Sequence, residues 1–94
     1  MRIACEWDDA KNRANVAKHG LNFQDAERVL NGACITFMDD RFDYGEERFV
    51  SLGLLESRVM VIAHSPRGDR ERIISMRKAN RREQEIYKKR LKTN

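Results

Sequence analysis

The stretch Arg58-Val59-Met60-Val61-Ile62-Ala63-His64-Ser65-Pro66-Arg67-Gly68-Asp69-Arg70-Glu71-Arg72-Ile73-Ile74-Ser75-Met76-Arg77-Lys78 decides the fold. Two β-branched, largely apolar runs flank Pro66-Arg67-Gly68-Asp69, whose Pro and Gly favour a tight turn. The pattern predicts one strand from Arg58 to Ser65 and another from Arg72 to Lys78. Upstream, Arg48 to Leu55 reads as a further strand, joined through the hairpin Glu56-Ser57. Successive strands with short turns pair antiparallel, which gives a meander.

Alternation assigns the faces. On the strand from Arg58, residues Val59, Val61 and Ala63 share one face, and Met60, Ile62 and His64 the other. On the strand from Arg72, residues Arg72, Ile74 and Met76 oppose Ile73, Ser75 and Arg77. A polar group at the end of an apolar strand marks a sheet end, where clefts form. His64, Arg77, Arg67 and Arg70 or Arg72 are therefore expected to converge, provided the register holds.

Working outward, Arg2 to Trp7 reads as a short first strand. Asp8 is placed to cap a helix running to about His19, and Gly20 supplies its left-handed end. Asn22 with Asp25 resembles a capping box for a second helix, with Phe23, Ala26, Val29 and Leu30 facing inward. Ala33 to Phe37 is a strand, followed by the acidic segment Asp39-Asp40-Arg41-Phe42-Asp43-Tyr44-Gly45. Asn80 with Glu83 opens a C-terminal helix to about Leu91, whose apolar residues are Ile86, Tyr87 and Leu91. The predicted fold is a single α+β domain over residues 1–94, in β-α-α-β-β-β-β-α order. Two N-terminal helices pack on one face of an antiparallel sheet, and the C-terminal helix docks by one edge. The second face is expected to be free of helices and open to a ligand.

The first helix carries an unusual pattern. Lys11, Asn15 and Lys18 line up on one face at i, i+4 and i+7. Ala10, Ala14 and Ala17 form a thin stripe beside them, extended by Leu21. A polar row next to so slim an apolar stripe predicts close packing against the sheet.

Composition bounds the function. Hydrophobic residues make up 40% of the 94, enough for one modest core, and 36% are charged. No apolar run is long enough to span a membrane, and the N-terminus lacks the layout of a signal peptide, so the expected location is the cytoplasm. Cys5 and Cys34 lie in strand-like apolar surroundings and read as buried thiols of a reducing compartment. Charge is unevenly divided. Residues 1–57 hold seven Lys/Arg against eleven Asp/Glu, a net −4, and residues 58–94 hold twelve against four, a net +8. A basic half on a small domain is the footprint of a polyanion binder.

Motif by motif, most chemistries drop out. The sequence has no Cys/His spacing for zinc, no phosphate-binding Gly loop and no evident Ser-His-Asp layout. Asp39, Asp40 and Asp43 read as a solvated turn, so no metal and no cofactor are expected. Arg, Lys and His together suit metal-free RNA cleavage, in which a 2′-hydroxyl attacks the adjacent phosphate. That reaction needs a base, an acid for the leaving 5′-oxygen, and cations for the pentavalent intermediate.

Glu6-Trp7-Asp8, Lys11, Asn15, Lys18-His19-Gly20 and Phe23 together resemble the N-terminal signature of the BrnT family. Gly45-Glu46-Glu47-Arg48-Phe49, Gly53 and Arg72-Ile73-Ile74-Ser75-Met76-Arg77-Lys78-Ala79 with Glu83 extend the resemblance to about residue 87. BrnT proteins are toxins of type II toxin–antitoxin modules. The resemblance implies a RelE-like fold and a ribonuclease that halts translation. It also implies a hetero-oligomer with a BrnA-type antitoxin, through which alone the pair meets its operator DNA, and no membrane.

The chemistry selects His64 as the candidate general acid or base, since an unperturbed imidazole titrates near ~6.5 and serves in either role. Arg67 and Arg77 are candidates for phosphate binding and transition-state stabilisation, because a guanidinium is always charged and offers paired donors. Lys18 is a further proton-transfer or phosphate candidate. Arg72, His19, Arg70, Lys78 and Arg81 are candidate substrate-binding residues. Against these stand bland readings: His64 as a satisfied core histidine, Lys18 and His19 as cations favouring a helix C-terminus, and Arg77 as an ion-pair partner of Glu6 or Asp8. A non-enzymatic nucleic-acid-binding or co-repressor module is the alternative to a ribonuclease.

Overall fold

The computed structural model describes residues 2–92. Strand β1 (Ala4–Glu6) leads into helix α1 (Asp9–His19), followed by a 3-10 turn (Phe23–Asp25) and helix α2 (Ala26–Leu30). Strands β2 (Ile35–Met38), β3 (Phe49–Leu55), β4 (Arg58–Arg67) and β5 (Arg70–Lys78) come next, and helix α3 (Arg81–Lys92) ends the chain. The five strands form one sheet in the order β1-β5-β4-β3-β2.

The caps act as expected. The Asp8 carboxylate accepts from the Lys11 N–H at 3.1 Å. Gly20 takes the left-handed conformation, φ 70°, and its N–H bonds the Val16 carbonyl. The second helix divides: the Asn22 side chain caps a 3-10 turn, and only Ala26–Leu30 is α-helical. Asn80 and Glu83 exchange side chain and backbone bonds at 2.9 and 2.8 Å, a closed capping box.

Two expectations are corrected. The sheet is mixed, because β1 runs parallel to β5 through the register Ala4↔Arg70 and Glu6↔Arg72. Short turns dictate direction only between consecutive strands, and residues 7–69 lie between these two. The second face is not free of helices either. Tyr87 is buried and its hydroxyl donates to the Ala33 carbonyl at 2.6 Å. With Leu91 it packs on Ile35, Phe37, Val50, Leu52, Val59 and Val61. The larger cluster, on the α1/α2 side, joins Phe23, Ala26, Val29 and Leu30 to Met60, Ile62, Ile73 and Met76. Gly53 lets α2 approach, since a Cβ there would stand 2.7 Å from Val29 Cγ1.

Alternation holds on β4 and fails on β5. Ala63 pairs with Ser75 but His64 pairs with Ile73, so Ile74 is the extra residue of a β-bulge. The bulge brings Ile73 and Met76, three residues apart, into the same core. It also places Arg70, Arg72, Ser75 and Arg77 opposite Arg67, Ser65, Ala63 and Val61, all on the α3 side of the sheet.

Side-chain amides finish the strand edges. Asn31 exchanges two hydrogen bonds with the backbone of Ile3, and Glu27 accepts from the Cys5 N–H. Asn15 does the same for β5 beyond the reach of β1. Its Oδ1 accepts from the Met76 N–H at 3.2 Å, and its Nδ2 donates to the carbonyls of Met76 at 2.9 Å and Leu21 at 3.0 Å. One buried carboxamide thus stands in for a missing strand and locks α1 against the sheet.

Candidate nucleic-acid interface

The sheet register sorts the basic residues before any chemistry is considered. Arg67 and Arg70 face each other at the hairpin, Arg72 stands opposite Ser65, and Arg77 stands opposite Val61. These four arginines share the α3 side, while α3 itself packs over β2, β3 and the start of β4. Arg67 and Arg70 are exposed, and Arg72 and Arg77 half-buried. The first helix meets the free edge of β5. A cleft of about 250 Å³ between α1 and β5 is lined by Lys11, Ala14, Asn15, Lys18, His19, Ile74 and Ser75.

His64 lies apart from this group. It pairs with Ile73, next to Ile62 in the α1/α2 core, and is 5% exposed. The expected convergence of His64 with Arg77 is therefore corrected: the two occupy opposite faces. The imidazole is held at both nitrogens, Nδ1 2.7 Å from Glu71 Oε1 and Nε2 2.7 Å from Ser51 Oγ. Thr36 Oγ1 lies 2.7 Å from the same Ser51 hydroxyl. The ring therefore links Glu71 on one side to the Ser51–Thr36 hydroxyl pair on the other. Phe49 stacks on the ring at 6.1 Å, and a cavity of about 380 Å³ opens beside it. Nothing in the sequence marks this chain of partners except that Glu71 is the one acid in a basic strand.

Arg77 has a partner, though neither of those expected. Its two terminal nitrogens meet both Glu83 carboxylate oxygens at 2.8 Å. The pair holds the guanidinium pKa up and the Glu83 carboxyl below its ordinary value. Asn80 N–H adds to the effect on Glu83. Arg81, 95% exposed on its side chain, approaches Glu85 at 3.8 Å on the outside of α3. Lys78 pairs with Met60 and so belongs to the opposite side from Arg77. Of the acidic segment, Asp39 binds Arg41 and Tyr44, which holds its carboxyl down to about 2. Asp43 accepts from the Gly45 N–H within the loop.

The register therefore puts Arg67, Arg70, Arg72 and Arg77 on one side of the sheet, while Lys18 and His19 line a cleft against Ile74 and Ser75 of the same strand, and His64, Lys78 and Arg81 lie elsewhere. Such a row of cations binds a phosphate chain, and an imidazole beside it supplies a proton-transfer group. Among the described residues no helix is long and apolar enough to cross a membrane.

Comparison with known proteins agrees with the resemblance seen in the motifs. The family model described as ribonuclease toxin, BrnT, of type II toxin–antitoxin system matches residues 7–83, from Trp7 to Glu83. The curated proteins yield no match to the chain. The match spans α1, the whole meander and the start of α3, which include every element lining the cationic border. The chain belongs to the BrnT family of ribonuclease toxins of type II toxin–antitoxin systems.

Proposed function

We propose that this toxin cleaves RNA without a metal ion, using the cationic border of β5 and α1 as its substrate-binding surface. The carrying observation is the one-sided placement of Arg67, Arg70, Arg72 and Arg77 beside the cleft that holds Lys18 and His19. In the reaction the 2′-hydroxyl oxygen attacks the adjacent phosphorus and the bond to the 5′-oxygen breaks. The products carry a 2′,3′-cyclic phosphate and a 5′-hydroxyl. His19 is assigned the proton transfers, since a histidine accepts one proton and returns another near neutral pH. Arg72 and Arg77 are assigned the charge on the phosphorane, and Arg67 and Arg70 the flanking phosphates. Engagement of Arg77 by substrate requires exchange of its Glu83 partner for phosphate.

The toxin acts in the cytoplasm as a hetero-oligomer with a BrnA-type antitoxin, which alone carries the pair to operator DNA. The test is purified protein incubated with end-labelled RNA in EDTA. Cleavage with 2′,3′-cyclic phosphate ends is expected, with loss in Arg72→Ala. RNA bound but intact under all conditions would replace the ribonuclease with a binding module.

A further inference from the structure

We propose that Lys11 and Lys18 form a two-lysine clamp on the backbone of single-stranded RNA, and that Asn15 is the positioning residue that aims it. The proposal rests on the ribonuclease reading and names part of its substrate path. Lys11 and Lys18 lie four residues before and three after Asn15, on the same helical face. Seven residues of α-helix separate their Cα atoms by ~10 Å along the axis, so each ammonium addresses its own phosphate. Both side chains are exposed and both line the cleft against Ile74 and Ser75. Among the described residues neither ammonium makes a hydrogen bond or an ion pair, although the Lys11 charge helps hold the Asp8 carboxyl down.

The two rows are coupled through one buried group. Asn15 bonds both backbone atoms of Met76, and Met76 lies between Ser75 and Arg77 on β5. The carboxamide therefore fixes the distance between the lysines of α1 and the arginines of β5. A phosphate chain laid across the cleft meets α1 on one bank and the strip of β5 on the other. Ala14 adds a small side chain to the α1 bank, whereas Ala10 and Ala17 are exposed and do not line the cleft, so the close packing expected of the alanine stripe is corrected: Asn15 is the α1 residue buried against the sheet.

The experiment is RNA binding as a function of salt, with a 2′-O-methyl oligonucleotide that lacks the attacking hydroxyl. Each lost phosphate contact on a single strand lowers the slope of log K against log salt by about 0.7. Lys11→Ala and Lys18→Ala are each expected to show that drop, and the double variant about twice it. Arg13→Ala, exposed on the far side of α1, leaves the slope unchanged. Asn15→Ser, with both lysines intact, is expected to lower the salt slope for the 2′-O-methyl oligonucleotide as the lysine variants do, and an unchanged slope would remove its positioning role. If the parent binds RNA but Lys11→Ala matches Arg13→Ala, the clamp is overturned and the ribonuclease reading stands. A parent that neither binds nor cleaves RNA overturns both.

Discussion

His64 ties Ser51 of β3 to Glu71 of β5 through side chains alone, and its surroundings predict what removing it does. His64→Ala leaves the Ser51 hydroxyl and a Glu71 oxygen without their partner inside the sheet. An unsatisfied buried group costs about 1–3 kcal/mol, so the urea midpoint should fall clearly. Because the ring faces away from the cationic border, cleavage per folded molecule should survive. Arg72→Ala should do the reverse, removing cleavage at an unchanged midpoint. The thiols differ in the same way. Burial, with Glu27 and Glu71 nearby, pushes the Cys5 thiol up to about 11. The thiolate is the reactive form, so a thiol reagent at pH 8 should modify half-buried Cys34 and spare Cys5, as intact-mass measurement would show. A raised pKa favours the protonated folded state. Cys5 therefore contributes no penalty below the unfolded value and destabilises the fold as pH rises from about 9 through about 11.

At the scale of elements, α3 is the piece whose hold depends most on charge. Its apolar anchors are Tyr87 and Leu91, while Ile86 is 36% exposed. Glu83 joins the helix start to β5 through Arg77 and closes the cap on Asn80. Its carboxyl is held below the ordinary 4.5, first by the Arg77 bond and also by the Asn80 N–H. A depressed folded pKa gives stability that is present above the unfolded value and lost as pH falls through the folded one. Tyr87 fluorescence and thermal unfolding should therefore show α3 loosening below about pH 4.5, and Glu83→Gln should remove that acid dependence. The elements whose signals are local were legible in the sequence: the caps at Asp8 and Gly20, the Asn80–Glu83 box and both hairpins, although the second turns at Gly68-Asp69 alone, with Pro66 and Arg67 paired in the ladder rather than in the turn. What could not be read depends on long-range pairing. The bulge at Ile74 moves Arg72 to the same side as Arg77, and the parallel partner of β1 lies 66 residues away at each register pair. The docking of α3 rests on Tyr87 reaching the Ala33 carbonyl, which no periodicity announces. The basic half drew attention to β4 and β5, but only the register separated His64 from the arginines.

The whole molecule is a sheet with different work on its two sides, and this asymmetry is what net charge alone does not capture. Both sides hold core, the larger cluster with the His64 chain on the α1/α2 side and the smaller one under α3, and the α3 side also carries Arg67, Arg70, Arg72 and Arg77. The chain has a formal charge of +4. Replacing two arginines by glutamate lowers the net charge by four, so a double variant is neutral overall wherever the changes are made. Non-specific attraction to RNA follows total charge, but a bound backbone feels the groups within about a Debye length, roughly 8 Å at physiological salt. Arg67→Glu with Arg72→Glu places two negative charges in the strip itself. Arg82→Glu with Lys88→Glu makes the same change in net charge at two exposed positions of α3. At physiological salt the strip variant should lose RNA binding and cleavage, and the α3 variant should keep most of both. At low salt, where screening lengthens to ~30 Å at 0.01 M, the α3 variant should also weaken. Equal losses from the two variants at physiological salt would mean that total charge, not the β5 border, brings RNA to this protein.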